Sequence, residues 1–360
     1  MVVVITDDNI KIAVDLWCSN KNEAINKFGH IISWDVSNVT DMSNLFKDKN
    51  EFNDDISRWN VSNVKNMEKM FYYGYSFNQD INTKEITKEN GDIYIAWNVS
   101  NVTNMKHMFF RANLFNKDIS NWDISNVINI ESIFENAKSF NQDINTKTIT
   151  RKDGSKYTAW LICSNVKSMK RMFYNAKSFN KSICDWNVSN VTNMNSMFCY
   201  ATSFDQPLNN WNVSNVSNMI GMFNRARSFN QPLYNWNVSN VTNMDSMFCY
   251  AQSFNQPLNN WNVSNVIDVK DIDEIFNEAK AFNQDLSNWK LVTLGERILI
   301  NESTEIKEFE SEKECSICLN SEVNDYINRM NCCGNNYHKN CIIEWLDLNK
   351  SCPLCRVQFD

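Results

Sequence analysis

Tryptophan recurs along this chain at positions 34, 59, 97, 122, 160, 186, 211, 236, 261 and 289, so the spacing is 25 residues with two stretches of 38 and small slips of 26 and 28. A period of this length means that no single unit can bury its apolar face alone. Stacking supplies the core, and the chain is expected to form a solenoid whose units contact only their neighbours. The repetition is close to literal: the units starting at Asn187 and Asn237 differ only at Asn195/Asp245, Thr202/Gln252 and Asp205/Asn255.

Within a unit, Val191, Met194, Met197, Phe198 and Ala201 fall on one side of a helix of about two turns, with Thr192 or Asn193 near its start. The Phe-Asn-Gln-x-Leu segment is the strand candidate, kept short by Pro207, Pro232 and Pro257. The expected fold is therefore an α/β repeat solenoid of about ten coils of ~25 residues, with one short strand and one short helix each. The Ser-Asn pair of each unit is expected to bond turn amides of the neighbouring coil. Both 38-residue spacings contain an insertion at the same point of the unit, near 83–96 and 146–159. Asn90-Gly91 and Asp153-Gly154 there separate alternating segments, so both insertions predict β-hairpins on one edge.

Ahead of the repeats, Ile10, Ala13, Val14 and Trp17 at helical spacing behind Asp7 or Asp8, then Ala24, Ile25 and Phe28 closed by Gly29, predict a helical cap over residues 1–33. The unit of residues 34–300 resembles the BspA-type leucine-rich repeat of bacterial surface proteins and of proteins from protists and giant DNA viruses. That resemblance implies protein binding or attachment, with no chemistry in the repeats.

The tail has a different character. It reads Cys315-x2-Cys318-x13-Cys332-Cys333-x4-His338-x2-Cys341-x10-Cys352-x2-Cys355, which supplies eight soft or borderline ligands, enough for two tetrahedral zinc sites. Two Cys-x2-Cys knuckles framing a Cys/His centre are a specific signal. A disulfide framework fits poorly, because seven cysteines cannot all pair.

The order resembles a RING finger over residues 314–360. The resemblance implies cross-brace binding, with Cys315, Cys318, His338 and Cys341 on one zinc and Cys332, Cys333, Cys352 and Cys355 on the other. The departure is in the second pair, where RING fingers usually leave one residue between ligands; that spacing would select Cys333 and Asn335. Asparagine is a poor zinc ligand, so the adjacent cysteines are preferred. Ile317, Trp345, Pro353 and Arg356 stand where RING ubiquitin ligases place the apolar platform for a ubiquitin-conjugating enzyme (E2) and the basic residue that contacts both enzyme and ubiquitin. The resemblance thus implies an E3 ubiquitin transferase, with E2, ubiquitin and a protein substrate held by the solenoid as partners.

A net charge of −7 argues against a basic nucleic-acid surface, and no apolar run is long enough for a membrane span. Met1-Val2-Val3-Val4 lacks the basic flank of a secretory signal, so an intracellular, cytoplasmic protein is expected, in a host cell if the origin is viral. The recurrent Asn-x-Ser/Thr sequons then read as repeat consensus rather than glycosylation sites. Residues 301–313 are acidic and read as a flexible linker. Cys18, Cys163, Cys184, Cys199 and Cys249 lack ligand spacing, and His30 and His107 have no catalytic partner nearby. The alternative from another class is a scaffold or attachment protein whose zinc module only docks partners; a secreted adhesin suits the repeats but not the tail.

Overall fold

In a computed structural model of the chain, residues 4–266, 272–289, 303–306, 317, 327–333 and 336–359 are described. Helices α1 (Ile10–Ser19) and α2 (Lys21–Phe28) open the chain, burying Ile10, Ala13, Val14, Trp17, Ala24 and Phe28. Asn9, not Asp7 or Asp8, occupies the cap position of α1. Asp7 instead accepts the Thr40 and Asp41 amides at 2.9 and 3.0 Å, tying the helices to the first repeat. Ile25 is exposed rather than buried. Gly29 ends α2 at φ 77°, a left-handed backbone that glycine adopts without a Cβ penalty.

From Trp34 onward the units stack. The Met and Phe stripe is fully buried, and equivalent rings lie face to face, with Phe173, Phe198, Phe223 and Phe248 each 5.6 Å from the next. This distance decides the local structure. A helix with its side chains is about 10 Å across, so one helix per unit could not stack at that spacing. The expected helix and strand of each coil are accordingly absent from the described residues between Trp34 and Val266, where the segment after the Ser-Asn pair is a run of turns.

Backbone bonding follows an alternation. The amides of Met194, Ser196, Phe198 and Tyr200 donate to Asn218, Ile220, Met222 and Asn224 of the next unit, while those of Met197, Cys199 and Ala201 donate three residues back. Ser196 and Tyr200 reach this geometry at φ 54° and 60°. Every donor is satisfied without a helix, and the spacing of three, three, one and three is that of stacked turns.

Three side-chain ladders reinforce the stack. Each buried indole N–H from Trp59 to Trp289 donates to a carbonyl of the unit before it, as Trp122 does to Ile81 at 2.8 Å, which is why tryptophan and not phenylalanine marks the period. The asparagine of the Ser-Asn pair bonds the preceding coil, but through a carbonyl rather than the amides expected: Asn215 Nδ2 donates to Ser189 O at 2.7 Å. The amide-binding ladder runs through the Phe-Asn-Gln segment, where Asn116, Asn141 and Asn180 each donate their amide to the asparagine side chain of the preceding unit.

The insertions are hairpins, β1 (Lys84–Thr87) with β2 (Ile93–Ala96) and β3 (Lys147–Thr150) with β4 (Lys156–Ala159). Gly91 and Gly154 take φ 88° and 83° in the turns. Both hairpins are pinned alike, by Tyr94 Oη to Arg58 O and Tyr157 Oη to Asn121 O at 2.6 Å each, and Lys152 pairs with Glu85 at 2.7 Å between them. They share one side of the stack. The three-residue insertion before Trp289 holds a short helix, α3 (Ile272–Phe276).

From the sequence, Leu291 to Ile300 would close the solenoid with a last strand, a stretch that lies outside the described residues. Ser303–Ile306, placed by the sequence in a flexible linker, is a strand (β5) that pairs with β6 (Ile327–Met330); the rest of that stretch lies outside the described residues. No helix among the described residues is long and apolar enough to cross a membrane.

Candidate metal centre and adjoining surface

The tail is built on the sheet β5–β6–β7, β7 being Asn336–His338, and on helix α4 (Lys339–Asn349). Met330, Tyr337, Ile342 and Leu346 form a small buried core, and Ile317 and Trp345 pack against it half-buried. A domain of this size cannot bury a large apolar core and ordinarily needs a staple.

Four cysteines lie where such a staple belongs. The Sγ atoms of Cys332, Cys333, Cys352 and Cys355 are all within 4.8 Å of one another, with Cys333 and Cys352 at 3.5 Å. Tetrahedral coordination at a Zn–S bond of about 2.3 Å puts sulfurs about 3.8 Å apart, so this donor set fits the ion. Local backbone aims them: Cys332 and Cys333 sit in the turn after β6, and Cys352 begins a knuckle in which its carbonyl accepts from Arg356 N at 3.1 Å and its amide donates to Val357 O at 2.9 Å. Burial and the neighbouring Cys355 and Cys352 side chains push the Cys332 thiol well above its usual range, whereas the Val357 backbone bond lowers Cys355. A dication would offset the mutual repulsion of the thiolates.

The other expected group is only partly described. His338 is buried at the start of α4 and its Nδ1 lies 4.0 Å from Cys341 Sγ in the first turn. Cys315, Cys318 and Asn335 lie outside the described residues.

One residue near the cluster carried no signal in the sequence. Tyr337 is fully buried, and its hydroxyl is 3.9 Å from the sulfurs of both Cys333 and Cys352. Beside a bound metal, that O–H can donate to the thiolates and hold them in place. Tyr337→Phe keeps the ring and removes only this donor, and we expect zinc release to a colorimetric chelator to speed up about tenfold. An unchanged release rate would show that the hydroxyl is only filling space.

The four platform residues fall on or beside this unit. Trp345 donates its indole N–H to Ser351 O at 2.8 Å, which fixes the ring, and the Arg356 guanidinium lies 5.4 Å from its centroid. Pro353 is half-buried and Leu354 exposed in the knuckle between them. The cysteines outside the tail are unremarkable as ligands: burial pushes the Cys199 thiol up to about 12. His107 is held neutral, lowered to about 4 chiefly by burial.

Comparison with known proteins separates the two parts of the chain. Residues 19–95, 84–160, 151–248 and 219–297 match the family model described as "Mycoplasma protein of unknown function, DUF285", and together these stretches cover most of the chain. The chain belongs to this family. The DUF285 match stops at residue 297, and residues 313–356 fit a second model, the ring finger domain, so the tail is a RING finger, a module that binds zinc.

Relatives of the tail include the RING-H2 finger protein ATL66 of Arabidopsis thaliana, 45% identical over 51 residues, covering 14% of this chain and 32% of that protein. The E3 ubiquitin-protein ligase Iruka of Drosophila melanogaster is 44% identical over 43 residues, 12% of this chain and 11% of its own. RING-H2 finger protein ATL28 of Arabidopsis thaliana is 40% identical over 48 residues, 13% of this chain and 19% of that protein. The chain thus spans less than a third of these relatives, all within the finger. No solved structure matches the chain.

Proposed function

We propose that this protein is a RING-type E3 ubiquitin ligase whose DUF285 repeats, a solenoid of about ten coils over residues 34–300, recruit a protein substrate. The observation that carries this reading is the pairing of Arg356 with an oriented Trp345 beside Ile317 and Pro353. A module that only held its own fold would have no use for an indole and a cation presented together at its rim.

Zinc, when bound, is a structural ion here. Cys332, Cys333, Cys352 and Cys355 would hold one ion and Cys315, Cys318, His338 and Cys341 a second, in residues 314–360. This reading calls for no covalent intermediate on the chain itself. Its part is to hold a ubiquitin-charged E2 so that the thioester meets a substrate lysine in a reactive orientation. Trp345 and Ile317 give apolar contact area to the enzyme, and Arg356 offers five donors in a rigid fork that can engage enzyme and ubiquitin together.

Synthesis of ubiquitin chains by the purified protein with a panel of conjugating enzymes tests the reading. Trp345→Ala is expected to weaken E2 binding at least tenfold. Arg356→Ala should leave affinity for uncharged E2 nearly unchanged while slowing ubiquitin discharge at saturating ligase, each ~1.4 kcal/mol of lost orientation costing about tenfold in rate. Absence of chains with every conjugating enzyme, from protein with intact zinc, would favour the scaffold reading instead.

A further inference from the structure

The outward-facing turn positions of the repeats vary from unit to unit, and on four consecutive units they form a ladder of tyrosine and arginine. Arg171 lies 4.1 Å from the Tyr174 ring centroid, Tyr174 5.7 Å from Tyr200, and Arg225 is set between Tyr200 at 5.2 Å and Tyr250 at 4.1 Å. The two arginines differ in one respect. Arg171 is engaged by the Glu135 carboxylate at 2.7 Å, so that the fork, a tyrosine face and an acid form a closed set. Arg225 repeats the stacking at the same distance but makes no ion pair among the described residues. Carboxylates on nearby units are turned to other partners: Asp245 accepts from Ser246 Oγ at 2.8 Å, and Glu278 faces Lys280 at 3.9 Å.

We infer that Arg225, with Tyr200 and Tyr250, is a docking site for a carboxylate side chain on an extended acidic segment of a partner protein. Glu135 on Arg171 shows within the chain itself what such an occupant looks like. Stacking between two rings strips water from the guanidinium and fixes its plane, so its donors meet an acid at little cost in side-chain freedom. Tyrosine and arginine are also the residue types that dominate binding energy at protein interfaces. Units about 4.8 Å apart make a ladder of four about 15 Å long, the reach of roughly five extended residues. Exposed Arg227 adds positive charge two residues from Arg225.

The inference rests on the reading that the repeats recruit a protein, but its test does not involve ubiquitin transfer, so either can fail alone. Fluorescence anisotropy of the full chain with labelled octaglutamate, octaserine and a phosphoserine octapeptide is the experiment. Saturable binding of octaglutamate is expected, weakened at least tenfold by Arg225→Gln and less than twofold by Arg58→Gln, which removes the same charge at an exposed position away from the ladder. If Arg225→Gln does not fold, Arg225→Lys carries the test: a loss of threefold or more supports the site, and unchanged binding overturns it. No binding of octaglutamate, binding confined to the phosphopeptide, or equal losses in Arg225→Gln and Arg58→Gln would each overturn it.

Discussion

Cys352→Ser is expected to release zinc and unfold the tail while the repeats keep their native circular dichroism. Cys352 is fully buried, and its sulfur stands 3.5 Å from Cys333 and 3.9 Å from the Tyr337 hydroxyl. A serine oxygen there is a hard, protonated donor in a soft site. A domain of this size buries too little apolar surface to hold its fold without the ion, whose binding in structural sites is worth about 10–16 kcal/mol of apparent folding free energy. Metal analysis alongside near- and far-ultraviolet dichroism reads both parts. Full zinc content in the variant would remove Cys352 from the ligand set, and Asn335→Ala serves as the contrast, since it should leave the zinc in place.

Trp122→Ala should cost the repeat domain about 3–5 kcal/mol, the range for emptying a buried aromatic site. The ring is fully buried and lies 6.4 Å from Trp97 and 6.1 Å from Phe109, and its N–H bonds Ile81 O at 2.8 Å. Loss of that donor leaves a buried carbonyl unpaired, for a further ~1 kcal/mol or more. Because each unit contacts only its neighbours, damage in the middle of the array weakens the coupling between its halves. Urea unfolding should therefore show a lower midpoint and a broader transition, and Trp122→Phe should fall between the two. A change below about 1 kcal/mol in the alanine variant would mean that the indole ladder contributes little.

The two parts of the chain were legible to different depths. The tryptophan period announced a repeat, and Asn90-Gly91 and Asp153-Gly154 announced hairpins, because both signals are local: one residue type at a fixed spacing, one turn chemistry at a fixed point. The helix expected from Val191, Met194, Met197, Phe198 and Ala201 failed for a non-local reason. Apolar spacing reports which side chains are buried, but the 5.6 Å approach of neighbouring rings determines how the backbone between them can bond, and no window of a single unit contains that distance. In the tail, spacing marked the eight ligands, the resemblance to a RING finger implied that Cys332, Cys333, Cys352 and Cys355 share a site, and their four thiols lie in one cluster. Tyr337 was invisible because a buried tyrosine in a strand reads as core, and its hydroxyl acquires meaning only from two sulfurs distant in sequence.

The alternation of amides between the unit's own turn and the next unit has an evolutionary corollary. Each unit presents the same row of donors and acceptors to its neighbour whatever its variable side chains are, so joining two units does not depend on those variable positions. Duplicating or deleting a 25-residue segment re-forms the same bonds across the new junction, and the near-identical stretches beginning at Asn187 and Asn237 are what recent copying would leave. Reach along the stack and the pattern of side chains on its outer turns can then change independently, the first by copy number and the second by point substitution, with the finger at the end left untouched.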